Sequence, residues 1–562
     1  MAFDWKGLIG GLNSFGDKMD EEILAHPEKY DYDLYQKALM RQQSREQSRE
    51  AEQRENERLR REEAARQQAE RERREWEEEA ARQRAVEDQR KRNFLFLEAC
   101  RIQSLTEIQN FMNAGAEKNC VNQKKQNALM IAILADRDHS IVDFLAQNTS
   151  NIDWVDNQNH TALMYAIENK KSDYIRILVA RGAKTNVRVK GIPLIEYAIQ
   201  SKVSAEGIRK LIEGGADISY KSQDGETLLM RLIRQHGSYD AVKVLIESGL
   251  DVKVRDNTGT TAFACFAEAG DDVRVGRLLL ENGASVETRN MDGATPLMMG
   301  ALYNEKTEII EFLLSNGANA NMKTKTGITP LMYAAVNNGN KNVLDALIHA
   351  GAEVDAKDND GYTPLLYALE NNKNPEIALT LLLSGASANV ALNGDSALIL
   401  AVRSDQDVRV IRELITKGAD AKVKGKDGKT ALEYAMQANK PSAIIDELLK
   451  VSVDINAKDK DGKTMLMLAL ENTRTVGEIL KLIQGTENIN DQDNKGMTPL
   501  MYAVSNNRFA QNDLMTIIKE LLKKGADPKV KNSRGQLAIE LGGNNPNFKN
   551  TDVFWEINDL SF

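Results

Sequence analysis

Apolar residues in this chain come in short paired blocks. Between Asp292 and Asn319 the turn sequence Asp-Gly-Ala-Thr leads into Pro-Leu-Met and a first apolar run. A polar break follows, and Glu-Ile-Ile-Glu-Phe-Leu-Leu-Ser-Asn-Gly-Ala closes the block. Apolar positions three and four apart mark one face of a helix, so each block predicts two short helices joined by a turn. The pattern restarts at Gly327 with Gly-Ile-Thr-Pro-Leu-Met-Tyr-Ala-Ala and again at Gly361 with Gly-Tyr-Thr-Pro-Leu. The Gly that ends each block, or the residue standing in for it, falls at 115, 149, 182, 215, 249, 283, 317, 351, 385, 418, 452, 486 and 525. Neighbouring intervals are 33 or 34 residues, with 39 for the last, which makes thirteen copies of one unit. An array of this kind buries its apolar faces between neighbours rather than in one central core, so the length of 562 residues is no guide to domain number.

Each recurring residue has a physical task. Thr at 161, 227, 261, 295, 329, 363, 430, 464 and 498 is placed to cap the first helix. Pro at 296, 330, 364 and 499 follows in the first turn, where a missing N–H costs nothing. Ala334, Ala335, Ala368 and Ala503 let helices approach closely, and Leu313, Leu314, Leu382 and Leu383 supply the apolar face of the second helix. Gly followed by Ala at the block ends supplies a left-handed C-cap.

Together these features resemble the ankyrin repeat family over residues 93–545. The resemblance implies an all-α fold: a solenoid of about thirteen helix-turn-helix units with hairpin fingers between them. Two departures stand out. Met occupies the family's His position at 130, 164, 230, 298, 332, 467 and 501, where it is expected only to pack. This Met-rich form is similar to that of many bacterial members. The common 34-residue spacing, against the family's usual 33, places an extra residue between the two helices, as in Asn337-Asn-Gly-Asn340. The long final interval, through Asn506 to Asp513, predicts a bulge between the helices on the side away from the fingers. Asn93 to Asn119 reads as the first unit, with Phe94, Leu97, Ala99, Ile108 and Phe111 as its core. Beyond 545, Val553, Phe554, Ile557 and Leu560 are spaced for a capping helix within 546–562.

The N-terminal side divides at residue 35. In 1–35, Phe3, Trp5, Leu8, Ile9, Leu12 and Phe15 fall on one helical stripe interrupted by Gly7, Gly10, Gly11 and Gly16. The stripe fits a segment that docks on the solenoid, a docking peptide for another protein, or a membrane-surface anchor. The net charge of −4 over residues 1–40 disfavours anionic lipid, and membrane contact is confined to this end. Residues 36–92 contain no Gly or Pro, and from Arg41 to Arg92 sixteen basic residues meet fifteen acidic ones. Pairs four apart, such as Glu70–Arg74 and Glu78–Arg82, predict a long exposed helix held by paired charge. The apolar seam is poor, so a solvated single helix, a weak coiled coil that makes a homo-oligomer, and disorder all remain open.

Composition then removes function classes. Net charge is −9, of which −6 lies in 93–562, and no long apolar run offers a transmembrane span. Residues 1–20 lack the basic start and long apolar core of a secretion signal. Three scattered Cys (100, 120, 265) fit a reducing compartment, and the chain reads as cytoplasmic. The charge balance argues against nucleic acid as a partner. Five isolated His, no phosphate-cradling loop and no nucleophile motif argue against an enzyme, and no cofactor or metal is implied. Asp358-Asn-Asp-Gly361 and Asp459-Lys-Asp-Gly462 look like the start of a calcium loop but lack its closing Glu; turn chemistry explains them better.

What remains is surface, in register. The resemblance implies protein partners met by finger tips and first helices. Tip residues are Met291 and Ala294, Lys325 and Ile328, Asn359 and Tyr362; first-helix residues at a constant offset from the Thr are Met299, Tyr333 and Tyr367. They predict an apolar and aromatic strip over three units, although the tyrosines equally suit packing against the neighbouring unit. Further on the tips turn basic, at Lys426, Lys429, Lys460, Lys463 and Lys495, which suits a partner with an apolar segment flanked by acids. Two functions stay open: a non-catalytic scaffold spaced by the N-terminal helix, and a structural subunit that assembles through that helix.

Overall fold

A computed structural model describes residues 51–451, 454–472 and 475–561. The stripe of Phe3, Trp5, Leu8, Ile9, Leu12 and Phe15 and the start of the charged segment lie outside the described residues.

The chain separates into two compact units. One contains the long helix up to Phe96 together with Gln109–Glu117; the other contains Leu97–Ile108 and everything from Lys118 onward. In the first unit the charged segment is helical throughout its described length. There is no break at residue 93: the helix is Ala51–Ile102, 52 residues. Two of its expected charge pairs are made, Arg74–Glu70 at 2.9 Å and Arg82–Glu78 at 3.9 Å, with Arg73–Glu77 at 2.9 Å added. Gln89 Nε2 donates to the Gly115 carbonyl at 2.9 Å, and the Glu117 N–H donates to Asn93 Oδ1 at 2.9 Å, tying the helix to the turn beneath it. Phe94, expected in the core, is 64% exposed; Phe96, two residues on and so on the opposite side of the helix, is buried.

The second unit is a stack of helix pairs. Twelve full pairs run from Ala128–Leu134 with His139–Asn148 to Pro499–Ser505 with Gln511–Lys523. First helices pack on the first helices of adjacent repeats, and second helices on second. A shortened pair, Ala538–Gly542 and Asp552–Ser561, closes the array, so the expected capping helix is the second helix of a reduced repeat. Leu297, Met298, Ala301, Ile309, Ile310 and Leu313 show what each pair buries. Leu383 does not follow the expectation: Leu381 and Leu382 turn inward and Leu383 faces solvent. Gly300 sits where a Cβ would lie 3.0 Å from Ile310 and 3.1 Å from the Ala267 carbonyl, so closeness here requires Gly.

The local signals act as their chemistry requires. Thr329 Oγ1 accepts the Met332 N–H at 3.3 Å, and Gly317, at φ +92°, turns the chain so that the Ala318 N–H reaches the Leu313 carbonyl at 3.1 Å. The Met that replaces the family's His does more than pack. Met298 Sδ accepts the Thr295 N–H at 3.3 Å, Met332 Sδ that of Thr329 at 3.4 Å, and Met164 and Met467 repeat this at 3.5 Å. Thr and Met thus close a capping box in which a thioether does the work usually done by Glu.

The extra residue of the 34-residue units does lie between the helices. Twelve positions separate Thr329 from Lys341, against eleven from Thr161 to Ser172. The 33-residue intervals ending at 215 and 418 have another origin, a shortened finger. There Lys190-Gly191 and Asn393-Gly394, all at positive φ, make two-residue turns between the strand pairs Arg188–Val189 with Ile192–Pro193 and Ala391–Leu392 with Asp395–Ser396. In the 39-residue interval the insertion is not simply a bulge. It lengthens the second helix to 13 residues, Gln511–Lys523, and turns Phe509 into the core.

The loop between the helices carries a further recurring feature, with Asn304, Asn338, Asn372 and Gln406 spaced 34 residues apart. Asn304, Asn338, Asn372, Gln406 and Asn545 are buried there. Asn338 Nδ2 donates to the carbonyls of Ala301 at 2.9 Å and Asn304 at 3.0 Å, and Asn372 does the same to Ala335 and Asn338 at 3.1 Å each. Each amide satisfies carbonyls left over at the end of the preceding repeat's first helix.

Candidate functional site

The fingers between pairs are built on an Asx turn. Asn290 Oδ1 accepts the Asp292 N–H at 3.0 Å and the Ala294 N–H at 2.8 Å. Asp358 Oδ1 does the same for Asp360 and Tyr362, and its second oxygen accepts the Tyr367 hydroxyl at 2.6 Å. This carboxylate serves the turn with both oxygens. Successive tips are joined: the Met291 N–H donates to the Thr258 carbonyl at 2.8 Å, that of Lys325 to Asp292 at 3.0 Å and that of Asn359 to Thr326 at 2.9 Å. The tips therefore form a continuous edge.

Along that edge the expected strip is only partly assembled. Met291 is 62% exposed, and Lys325 and Asn359 are exposed beside it. Ile328, Tyr362, Met299, Tyr333 and Tyr367 are half-buried. Ala294 drops out of the exposed strip: it is buried, because the turn that holds its N–H against Asn290 also carries its methyl inward. Tyr362 stacks on Tyr367 with ring centroids 4.8 Å apart. Burial, and then Glu370, push the Tyr362 hydroxyl above its ordinary pKa.

The tyrosines at the first-helix offset are held by their own fingers. Tyr367 bonds Asp358, Tyr502 bonds Asp493 at 2.7 Å, Tyr434 bonds Asp427 at 2.9 Å, and Tyr165 bonds Asp156 at 2.5 Å. Tyr333 differs, since Thr324 stands nine residues before it, where Tyr165, Tyr367 and Tyr502 have Asp. Its pKa is raised by burial, then by Asp292 and by Tyr303. Tyr303 was not among the expected residues, yet it is exposed beside this site. It lies four residues after Met299 on the helix Pro296–Tyr303, and extending the helical period by one turn would have found it.

The basic tips are less free than their spacing suggested. Lys429 Nζ donates to Gln437 at 2.7 Å and lies over the Tyr434 ring; Lys463 pairs with Glu471 at 2.6 Å and lies over the Tyr502 ring. Lys426 has the Asp395 carboxylate at 3.8 Å. Lys460 and Lys495 remain exposed on their tips.

A second charged cluster lies on the first helices further upstream. Buried Glu196 faces Arg231 Nε at 2.5 Å, and Arg234 bridges Glu226 at 3.0 Å and Glu268 at 2.6 Å. Its two guanidiniums are paired with three carboxylates across adjacent repeats, which suits a structural role.

Among the described residues no helix is long and apolar enough to cross a membrane. A family model for ankyrin repeats in three copies matches residues 96–189 and, in overlapping placements, 194–290, 229–324, 297–391, 371–459 and 438–532. No curated protein matches the chain.

Proposed function

The chain belongs to the ankyrin repeat family, whose repeats are generally protein–protein interaction modules and typically non-catalytic, and from that premise we propose that it is a scaffold holding a protein partner along its finger edge. The observation that carries this reading is Met291. It is a large apolar side chain left 62% exposed on a tip whose backbone is fixed to its neighbour. A partner gains from covering it without first having to order the loop. Ile328, Tyr362, Tyr333 and Tyr303 extend an apolar and aromatic surface across the adjoining repeats, the composition in which interface energy concentrates. The exposed Lys460 and Lys495 add attraction toward acids flanking the partner's apolar segment. In this reading Ala51–Ile102 is a spacer of about 78 Å at 1.5 Å per residue. Its described ion pairs are made within the helix, between residues three or four apart, which supports a spacer over an assembly seam.

The test is the variant Met291→Ser/Ile328→Ser/Tyr362→Ser, shown by circular dichroism to keep the parent's helicity. Proteins captured by the parent, identified by mass spectrometry and remade pure, should bind this variant at least tenfold more weakly. Equal affinity would place the partner site elsewhere on the chain.

A further inference from the structure

A column of cations runs along the fingers, separate from the apolar strip. Four residues before the turn glycine the chain has Lys221, Arg255, Arg289, Lys323 and Lys357, at a constant interval of 34. All five are exposed. Three of them reach to the next finger rather than to an acid. Arg255 Nη1 donates to the Arg289 carbonyl at 2.5 Å, Arg289 Nη1 to the Lys323 carbonyl at 3.5 Å, and Lys323 Nζ to the Lys357 carbonyl at 3.0 Å. Carbonyls orient these side chains without neutralising them. Among the described residues no carboxylate comes within 4.0 Å of any of the five. Arg231, Arg234, Arg274, Arg403, Arg409 and Arg412, elsewhere on the stack, are all ion-paired. Five unneutralised charges in line, on a chain of net charge −9, form a local feature opposed to the whole.

We propose that this column docks an extended acidic polypeptide with one carboxylate for each repeat. The spacing carries the choice. Repeats stack about 10 Å apart, the helix-packing distance, and an extended strand advances about 3.3 Å per residue. An acid at every third residue therefore meets a cation at every finger. A nucleic acid fits poorly: duplex DNA carries one charge per about 1.7 Å, several for each cation of the column. The carbonyl ladder holds Arg255, Arg289 and Lys323 before the ligand arrives, so less side-chain freedom is lost on binding there.

The probe is a fluorescent peptide of five Glu-Ser-Thr triplets, compared by anisotropy with a peptide of the same composition whose five glutamates are contiguous. The full-length parent should bind the spaced peptide at least fivefold more tightly than the clustered one, with affinity falling steeply as salt rises. The variant Lys221→Gln/Arg255→Gln/Arg289→Gln/Lys323→Gln/Lys357→Gln should lose at least tenfold. The Met291→Ser/Ile328→Ser/Tyr362→Ser variant should keep the parent's affinity, so that failure of the apolar site and failure of this one give different patterns. If the five-fold variant does not fold, the comparison of the two peptides on the parent decides. No binding of the spaced peptide by the parent, equal binding of the two peptides, undiminished binding by a folded five-fold variant, or tighter binding of duplex DNA would each overturn the proposal.

Discussion

Replacing Asn338 by Ala isolates the contribution of the amide ladder. Asn338 is 1% exposed. Its amide makes three hydrogen bonds: Nδ2 to the carbonyls of Ala301 and Asn304, and Oδ1 from the Asn340 N–H at 2.9 Å. Truncation removes all three and leaves two carbonyls and one N–H without those partners. At about 1 kcal/mol each the loss is about 3 kcal/mol. The Asn372 bond to the backbone carbonyl of residue 338 survives the change, so the damage stays local. In a repeat array one global unfolding energy is a poor measure, because neighbouring repeats open separately. Native-state hydrogen exchange is the better assay. Amides of Pro330–Asn337 and Lys341–His349 should lose about 100-fold in protection, since 1.4 kcal/mol is a factor of ten. Those of Gln511–Lys523, five repeats away, should not change. Asn337→Ala is the control: its amide makes only an exposed 3.3 Å contact with the Leu302 carbonyl, and the expected loss is below about 0.5 kcal/mol. A drop of less than fivefold in Asn338→Ala, or equal drops in the two variants, would show that the ladder is not what joins these repeats.

Three further outcomes are expected. Thr329→Ala should cost about 1 kcal/mol as a lost cap, while Met332→Leu, which keeps the volume and loses only the N–H···S contact, should cost about 0.5 kcal/mol; the reverse order in denaturant midpoints would refute the roles given to the two residues. Burial pushes the Cys100 and Cys265 thiols up to about 12, so iodoacetamide at pH 8 should label them only as fast as the protein opens, and rapid labelling of the native protein would contradict their burial. Burial, followed by Asp156 for Tyr165 and Asp427 for Tyr434, raises both hydroxyls to about 12. Folded values above the unfolded value of about 10 mean that the stabilisation is complete below pH 10 and lost as pH rises through 12. The thermal midpoint of the parent should therefore fall more steeply over that interval than that of Tyr165→Phe/Tyr434→Phe, and parallel curves would count against it.

The repeat register, the helix pairs and their caps were legible in the amino-acid order because each is set within a few residues. Thr329 caps through its own turn, Pro330 fits the first helical position, and Gly317 reverses the chain through its own φ. The exposure of the strip was not legible in this way. Met291 and Ala294 flank the same glycine, yet one faces solvent and the other is buried, and the difference depends on where the turn directs each Cβ. Tyr333 and Tyr367 occupy one offset, but only Tyr367 has a finger aspartate to bind. Asn338 reads as an ordinary loop residue until the preceding repeat's Ala301 and Asn304 are brought beside it from 37 and 34 residues away. The cations of the column recur 34 residues apart in the sequence, but only stacking puts them in line and lays Arg255, Arg289 and Lys323 on the next finger's carbonyl. Local backbone preference and helical period determined the unit from sequence alone. Tertiary structure decided which side chains one unit hides, holds or leaves for a partner, because those depend on atoms contributed by its neighbours.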